Sequence, residues 1–374
     1  MYDNPKKKPR ALARGVGHFI VFLLLLLIKK TVFEFFDKNN LTLASGVFLK
    51  RQSQEEIVSQ INLIYHINMI DLINKKILVT GGSGFLGSHL FKKLTERGVP
   101  ENKIFIPRSS YLDLRKIDDC KRAVDGQNII IHAAGITGNV EFHKTHPGAI
   151  FYDNLVMGVQ LMEMARIAGV EKFITIGSAT EYPLLAPMPL NEENLWIGPV
   201  EENHAPYTIA KKMLLVEAQA YRAQYKFDAI HLLLTNMYGP GEKIDGGPIP
   251  SLIGRIADAK KMGVDSVVVW GTGNATRDFL YIDDAIEGIL LATEKYDKEE
   301  PVNIGSGYEV SIRELAETIG RLMNFNGSFS FDSTKPDGQL RRMLDVSRAA
   351  REFGFHAIMD FEKGLQKTIL AHGY

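Results

Sequence analysis

From Lys76 onward, short apolar runs alternate with stretches whose apolar residues recur at helical spacing. Lys76–Thr80 is an apolar run of strand length, and Gly81 to Gly87 punctuate it. Ser88–Arg97 then places Leu90 and Leu94 on one helical face, with Gly98 as the stop. The same pattern predicts strands at Lys103–Ile106, Asn128–His132, Lys172–Ile176 and Ala229–Leu234, and helices at Cys120–Val124, Leu155–Ala168 and Tyr207–Tyr225. Strands and helices alternating at this spacing predict an α/β fold with a Rossmann-type doubly wound parallel sheet.

After about Pro248 the order changes to a mixture: Ser266–Trp270 as strand, Asp283–Lys295 and Ser311–Met323 as helices, and the alternating Phe329-Ser330-Phe331. That mixture predicts a smaller C-terminal α/β substrate lobe closing over the carboxyl ends of the strands, where ligands bind in such folds. The expected division is residues 1–68, an N-terminal appendage, then 69–247, the sheet domain, then 248–374, the lobe.

The appendage departs from this pattern. Lys6, Lys7, Lys8, Arg10 and Arg14 precede an unbroken apolar run of 10 residues, Phe19–Ile28, which Lys29 and Lys30 close. A spanning helix wants about 20 apolar residues, so this run is closer to a signal peptide or signal anchor. The competing expectation starts from Met69, which opens the chain as a cytoplasmic α/β enzyme commonly begins; residues 1–68 are then irrelevant to the chemistry. Membrane contact is expected only through residues 1–30, and membrane association only if 15–28 is a genuine anchor.

Composition narrows the class. With 44 Lys+Arg against 44 Asp+Glu, the formal charge is zero, so no nucleic-acid partner is expected. The single thiol, Cys120, excludes an intramolecular disulfide framework and any multi-cysteine metal site. No metal is expected; His143-x-x-His146 lacks a third ligand in its segment and reads as a polar loop.

Gly81, Gly84 and Gly87, with Phe85 and Leu86 between, follow a strand and open a helix. A turn without side chains lets a pyrophosphate approach backbone N–H groups at a helix N-terminus. Near the end of the second strand stands Arg108-Ser109-Ser110 rather than an acid, and a guanidinium beside hydroxyls suits a 2′-phosphate. NADP(H) is therefore the expected cofactor. Tyr207 and Lys211 stand four apart at the start of a helix and share a face. An ammonium beside a phenol lowers its pKa from about 10 and readies it to shuttle a proton to a sugar oxygen. Ser178, at the carboxyl end of a strand, can hydrogen-bond the same oxygen.

These residues, with His132-Ala133-Ala134-Gly135, Thr235–Pro240, Val267–Asp284 and Thr334–Asp345, resemble the extended short-chain dehydrogenase/reductases that act on nucleotide sugars (the NAD-dependent epimerase/dehydratases), nearest to their GDP-L-fucose synthase branch. The resemblance implies Ser178, Tyr207 and Lys211 as the reductase triad and Arg108 at the adenosine phosphate. It also implies Ala133 and Ala134 against the cofactor, and Asn154, Thr180 and Asn236 in the ligand cleft. Arg255, Trp270, Arg277 and Lys335 fall where the family holds its GDP-sugar. It further implies a homodimer through the helices Leu155–Ala168 and Tyr207–Tyr225.

The pattern breaks at two positions. The family's epimerisation uses a Cys and a His, and the matching positions here are Thr180 and Gly247. A threonine hydroxyl is a poor base and glycine offers none, so the expectation is NADPH-dependent reduction of a nucleotide-linked 4-keto-(6-deoxy)sugar without the full 3,5-epimerisation. His143, His146, Glu242 and Asp245 are the available substitute acids and bases. A nucleotide-sugar 4-epimerase and a non-catalytic NADP-binding protein are the alternatives.

Overall fold

The computed structural model describes residues 69–138, 140–244, 246–335 and 337–374. The apolar run Phe19–Ile28, and the anchor expectation with it, lies outside the described residues, as does Asp245. Among the described residues no helix is long and apolar enough to cross a membrane.

The first part of the chain forms β1 (Ile77–Thr80), α1 (Phe85–Glu96), β2 (Ile104–Phe105), α2 (Ile117–Val124), β3 (Ile129–His132), α3 (Val140–Thr145), α4 (Pro147–Ala168), β4 (Lys172–Ser178), α5 (Ala205–Tyr225) and β5 (Ala229–Leu234). It continues through β6 (Asn236–Tyr238), α6 (Pro248–Met262), β7 (Ser266–Trp270), β8 (Thr276–Arg277), β9 (Phe279–Tyr281) and α7 (Ile282–Lys295). It closes with β10 (Val302–Ile304), β11 (Val310–Ser311), α8 (Ile312–Leu322), β12 (Ser328–Asp332), α9 (Ser347–Phe353) and α10 (Phe361–Ala371).

Six strands make one sheet in the order β10-β5-β4-β3-β1-β2, and every pairing is parallel. The period-two alternation decides the layers. Ile77, Val79, Ile129 and Ile131 share one core with Leu90 and Leu94 of α1 and Ile286 and Ile289 of α7. Leu78, Ile130 and Phe173 pack on the other face against Cys120, Leu161 and Leu214, from α2, α4 and α5. Each such side chain contributes about 2 kcal/mol when removed from water. This is the doubly wound sheet that the sequence predicts.

Because β2 lies on one side of β1 and β3 on the other, the winding direction reverses between β1 and β3, which opens a crevice at their carboxyl ends. Beyond Pro248 the chain builds the small pairs β7–β12 and β8–β11, and β9 pairs back with β6. It also returns to the large sheet, where β10 pairs with β5, Val302 opposite Leu232. Residues 248–374 thus supply both the lobe elements and an edge of the central sheet.

Candidate active site

The crevice at β1 and β3 is built from backbone in close contact. Thr80 Oγ1 pairs with His132 Nδ1 at 2.9 Å and accepts the Ala134 N–H at 3.1 Å, tying the two strand ends together. Burial, with Lys211 nearby, pushes His132 down to about 3, so it stays neutral. Gly81 has φ +70°, and a Cβ on it would stand 2.8 Å from Ala134 N. A Cβ on Gly87 would stand 2.3 Å from Gly81 O. Gly84 caps α1 without a side-chain bond, which leaves the helix N-terminus open to an anion.

The cavity over this turn, about 540 Å³, is lined by Gly81, Gly84, Phe85, Leu86, Gly87, Ala133, Ala134 and Gly135, bringing together the residues that the glycine motif singled out. The geometry fits a dinucleotide pyrophosphate. Arg108 is exposed, while its neighbours Pro107 and Ser109 line the cavity. A second guanidinium, Arg115, also lines it, with bonds of 2.9 Å to each oxygen of Asp113.

Ser178 ends β4 and caps a single turn, Ala179–Glu181. Its Oγ accepts from Thr180 N–H at 3.2 Å and from Thr180 Oγ1 at 3.0 Å. The turn is held from below by Glu181, fully buried, which accepts the Ser178 N–H at 2.8 Å and meets His231 Nε2 at 3.0 Å. His231 Nδ1 continues to Thr175 Oγ1 at 2.6 Å. A carboxyl in Glu181's place can satisfy both groups, and its role is invisible in the sequence because His231 is 50 residues away.

Tyr207 and Lys211 project from the first turns of α5. Lys211 Nζ donates to Ala134 O at 3.3 Å and stands 6.0 Å from the Tyr207 ring centre. A Cβ on Gly135 would approach Lys211 Nζ to 3.2 Å, so the bare backbone there lets the ammonium reach the cofactor cavity's wall. The acidified phenol predicted from the sequence is not what this environment produces. Burial, and then the Glu181 carboxylate, push Tyr207 above its ordinary value, and burial pushes Lys211 down to about 8. Desolvation, the larger cause, and the Glu181 carboxylate act on the phenol in the same direction.

Asn154 is a second correction. It is buried, and its amide accepts the Ile136 N–H at 2.9 Å and donates to Ile136 O at 2.8 Å and Ile150 O at 2.7 Å. It shapes the loop after β3 instead of lining the cleft. His143 and His146 diverge: His143 lies on α3 against Tyr207, 5.9 Å between ring centres, and bonds Thr137 Oγ1 at 3.2 Å. His146 stacks on Phe142.

Two further cavities continue from the first. One, about 610 Å³, shares Ser83, Gly84, Phe85 and Gly135 with it and adds Thr137, Asn236, Glu242 and Gly247. The other, about 500 Å³, shares Gly246, Gly247 and Pro248 with the second and adds His204, Arg255, Trp270 and Arg277. Trp270 is 60% exposed, with the Arg255 guanidinium 5.3 Å and Lys335 Nζ 5.6 Å from its ring centres. Such an indole offers a flat face to a planar ligand, flanked by cations. Arg277 donates to Thr276 O, Gln339 O and Asp337 O. Arg342 stands near it, and burial together with the Arg277 charge pushes it down to about 10. Arg342 lies in the Thr334–Asp345 segment, and its place beside Arg277 emerges only from the packing.

A model of the NAD dependent epimerase/dehydratase family matches residues 77–305. GDP-L-fucose synthase 1 of Arabidopsis thaliana is 35% identical over 298 residues, 78% of this chain and 91% of that protein. The GDP-L-fucose synthase of Escherichia coli strain K12 is 31% identical over 307 residues, 79% of this chain and 95% of that protein. A solved GDP-L-fucose synthetase from Naegleria fowleri bound to NADP is 27% identical, covering 81% of this chain and 96% of that one with a TM-score of 0.73.

Proposed function

The chain belongs to the NAD dependent epimerase/dehydratase family, and from that membership we propose that it reduces the 4-keto group of a nucleotide-linked sugar, a GDP-sugar by preference, at the expense of NADPH. The observation that carries this reading is the bond from Lys211 Nζ to Ala134 O, which sets the Tyr207–Lys211 face of α5 against the wall of the glycine-turn cavity. NADPH bound there supplies the hydride.

The chain's own residues do the rest. Ser178 Oγ holds the ketone oxygen. The Tyr207 phenol, kept protonated by burial, is in the form that donates a proton to that oxygen as it becomes an alcohol. Lys211 stabilises the phenolate left behind. The glycine turn orients the pyrophosphate, and Trp270, Arg255, Arg277 and Lys335 receive the substrate's nucleotide. Arg108 and Ser109 meet the 2′-phosphate at the rim. Thr180 Oγ1 is committed to Ser178 and Gly247 carries no side chain, which supports reduction without two-sided epimerisation. Exposed Tyr152 and Ile167 on α4 and Val216 and Tyr225 on α5 support a homodimer through those helices.

The test is to mix the protein, NADPH and GDP-4-keto-6-deoxymannose in deuterated water. The expected result is loss of the reduced-nicotinamide absorbance and a product free of solvent deuterium at C3 and C5. Deuterium at either carbon defeats the reduction-only form. No consumption, with tightly held NAD+ released on denaturation, points to the 4-epimerase instead.

A pH profile checks the electrostatics. Lys211 keeps its ammonium below about 8, with Glu181 favouring the charge and burial opposing it. Since the reaction needs the charged form, kcat/KM is expected to be flat below that pH and to fall about tenfold per unit above it. A profile level to pH about 10 contradicts this assignment of Lys211.

A further inference from the structure

Glu242 is a half-buried acid that the triad does not use. It follows β6 in the loop leading to α6, its N–H on Gly239 O. Its Oε2 is buried with no hydrogen-bond partner among the described residues. Its Oε1 lies where side chains on the next glycines would begin: a Cβ on Gly246 would stand 3.1 Å away, and one on Gly247 3.2 Å away. The two glycines therefore make room for this carboxyl. Burial alone pushes it up to about 8. Lys243 on its own loop and Tyr238 on β6 line the same cavity, and His89 of α1 is held by Pro240 O and lies 3.8 Å from Asp283; none contributes to the shift.

A buried polar atom without a partner is costly, and because Glu242 lines a cavity, a ligand there can supply its carboxyl with the missing partner. The 610 Å³ cavity that Glu242 lines is the passage between the glycine-turn cavity and the Trp270 cavity. On the function proposed above, a ligand with its nucleotide at Trp270 and its reacting carbon beside the nicotinamide has its sugar in this passage. A neutral acid suits that position, since a carboxylate there would oppose the phosphates on both sides.

We propose that Glu242 is a substrate-binding residue whose carboxyl O–H donates a hydrogen bond to an oxygen of the nucleotide-linked sugar. The assignment rests on the nucleotide-sugar reading and predicts that the sugar, not the nucleotide, feels the change.

Calorimetric titration of the NADP+-saturated protein with GDP-mannose and with GDP tests it. The ratio of the two affinities isolates the sugar's contribution. Glu242→Ala is expected to reduce that ratio about tenfold. Glu242→Gln, which keeps an N–H donor and nearly the same shape, is expected to hold it within about threefold at pH about 7. In the wild type the ratio falls as the pH passes about 8, and in Glu242→Gln that fall is absent. Equal weakening of GDP and GDP-mannose in Glu242→Ala overturns the assignment, as does a wild-type ratio unchanged across that pH range. A wild type that binds neither compound sinks the GDP-sugar reading and the assignment together. Binding as predicted without NADPH consumption on any 4-ketosugar sinks only the reductase reading.

Discussion

Tyr207→Phe is expected to lower kcat for ketone reduction by about 10² to 10⁴-fold, the range that a positioned general acid supplies. The substitution removes one oxygen and little else. The phenol hydroxyl has no hydrogen-bond partner among the described residues, so no buried group is orphaned by its loss. The ring keeps its edge contact with His143. Folding and NADPH affinity should therefore be preserved, with kcat and kcat/KM falling together, as when an interaction made only in the transition state is lost. Steady-state kinetics beside a thermal melt and a fluorescence titration of NADPH check this. Turnover within threefold of wild type would remove Tyr207 from the reaction.

Gly87→Ala acts on the scaffold. Its Cβ would meet Gly81 O at 2.3 Å, Gly82 Cα at 2.5 Å and Gly81 C at 2.7 Å, all backbone atoms that no rotamer change can move aside. The turn and the first helical residues must separate, at a cost of about 1–3 kcal/mol. Strain of that size, taken up in the cofactor-bound geometry, corresponds to about 10 to 100-fold weaker NADPH binding. Gly148→Ala is the control, because nothing lies within 4 Å of its Cβ position on α4. A Gly87→Ala protein that melts with the wild type and binds NADPH within twofold of it would refute the packing account of this glycine.

The sequence reports most directly on what is local. Ile77–Val79 and Ile129–Ile131 read as buried parallel strands because burial on both faces leaves no polar position. The glycine spacing reads as a phosphate turn because its geometry is set within seven residues. Helix α6 is harder to see: Pro248 and Pro250 look like breakers, yet both fall in its first turn, where the missing N–H has no intrahelical partner to lose. The family resemblance puts Asn154 in the cleft, and only the fold of the 133–138 loop over it shows that the amide serves backbone. The acidity of Tyr207 is least legible of all. Spacing supplies the lysine, but the dielectric around both groups is made by the whole assembled core. Arg108 is intermediate, since its neighbours Pro107 and Ser109 line the cavity while Arg108 itself is exposed.

The return of β10 to β5 has a consequence for how the molecule is made. Synthesis runs from N- to C-terminus, and Val302–Ile304 leaves the ribosome only after α6, β7, β8, β9 and α7. Until then β5 presents an unpaired ladder of amides and carbonyls, the kind of border that recruits stray strands. The nascent sheet is consequently completed late, by residues far downstream of the segments that first define it, and one long-range closure couples maturation of the cofactor platform to that of the lobe.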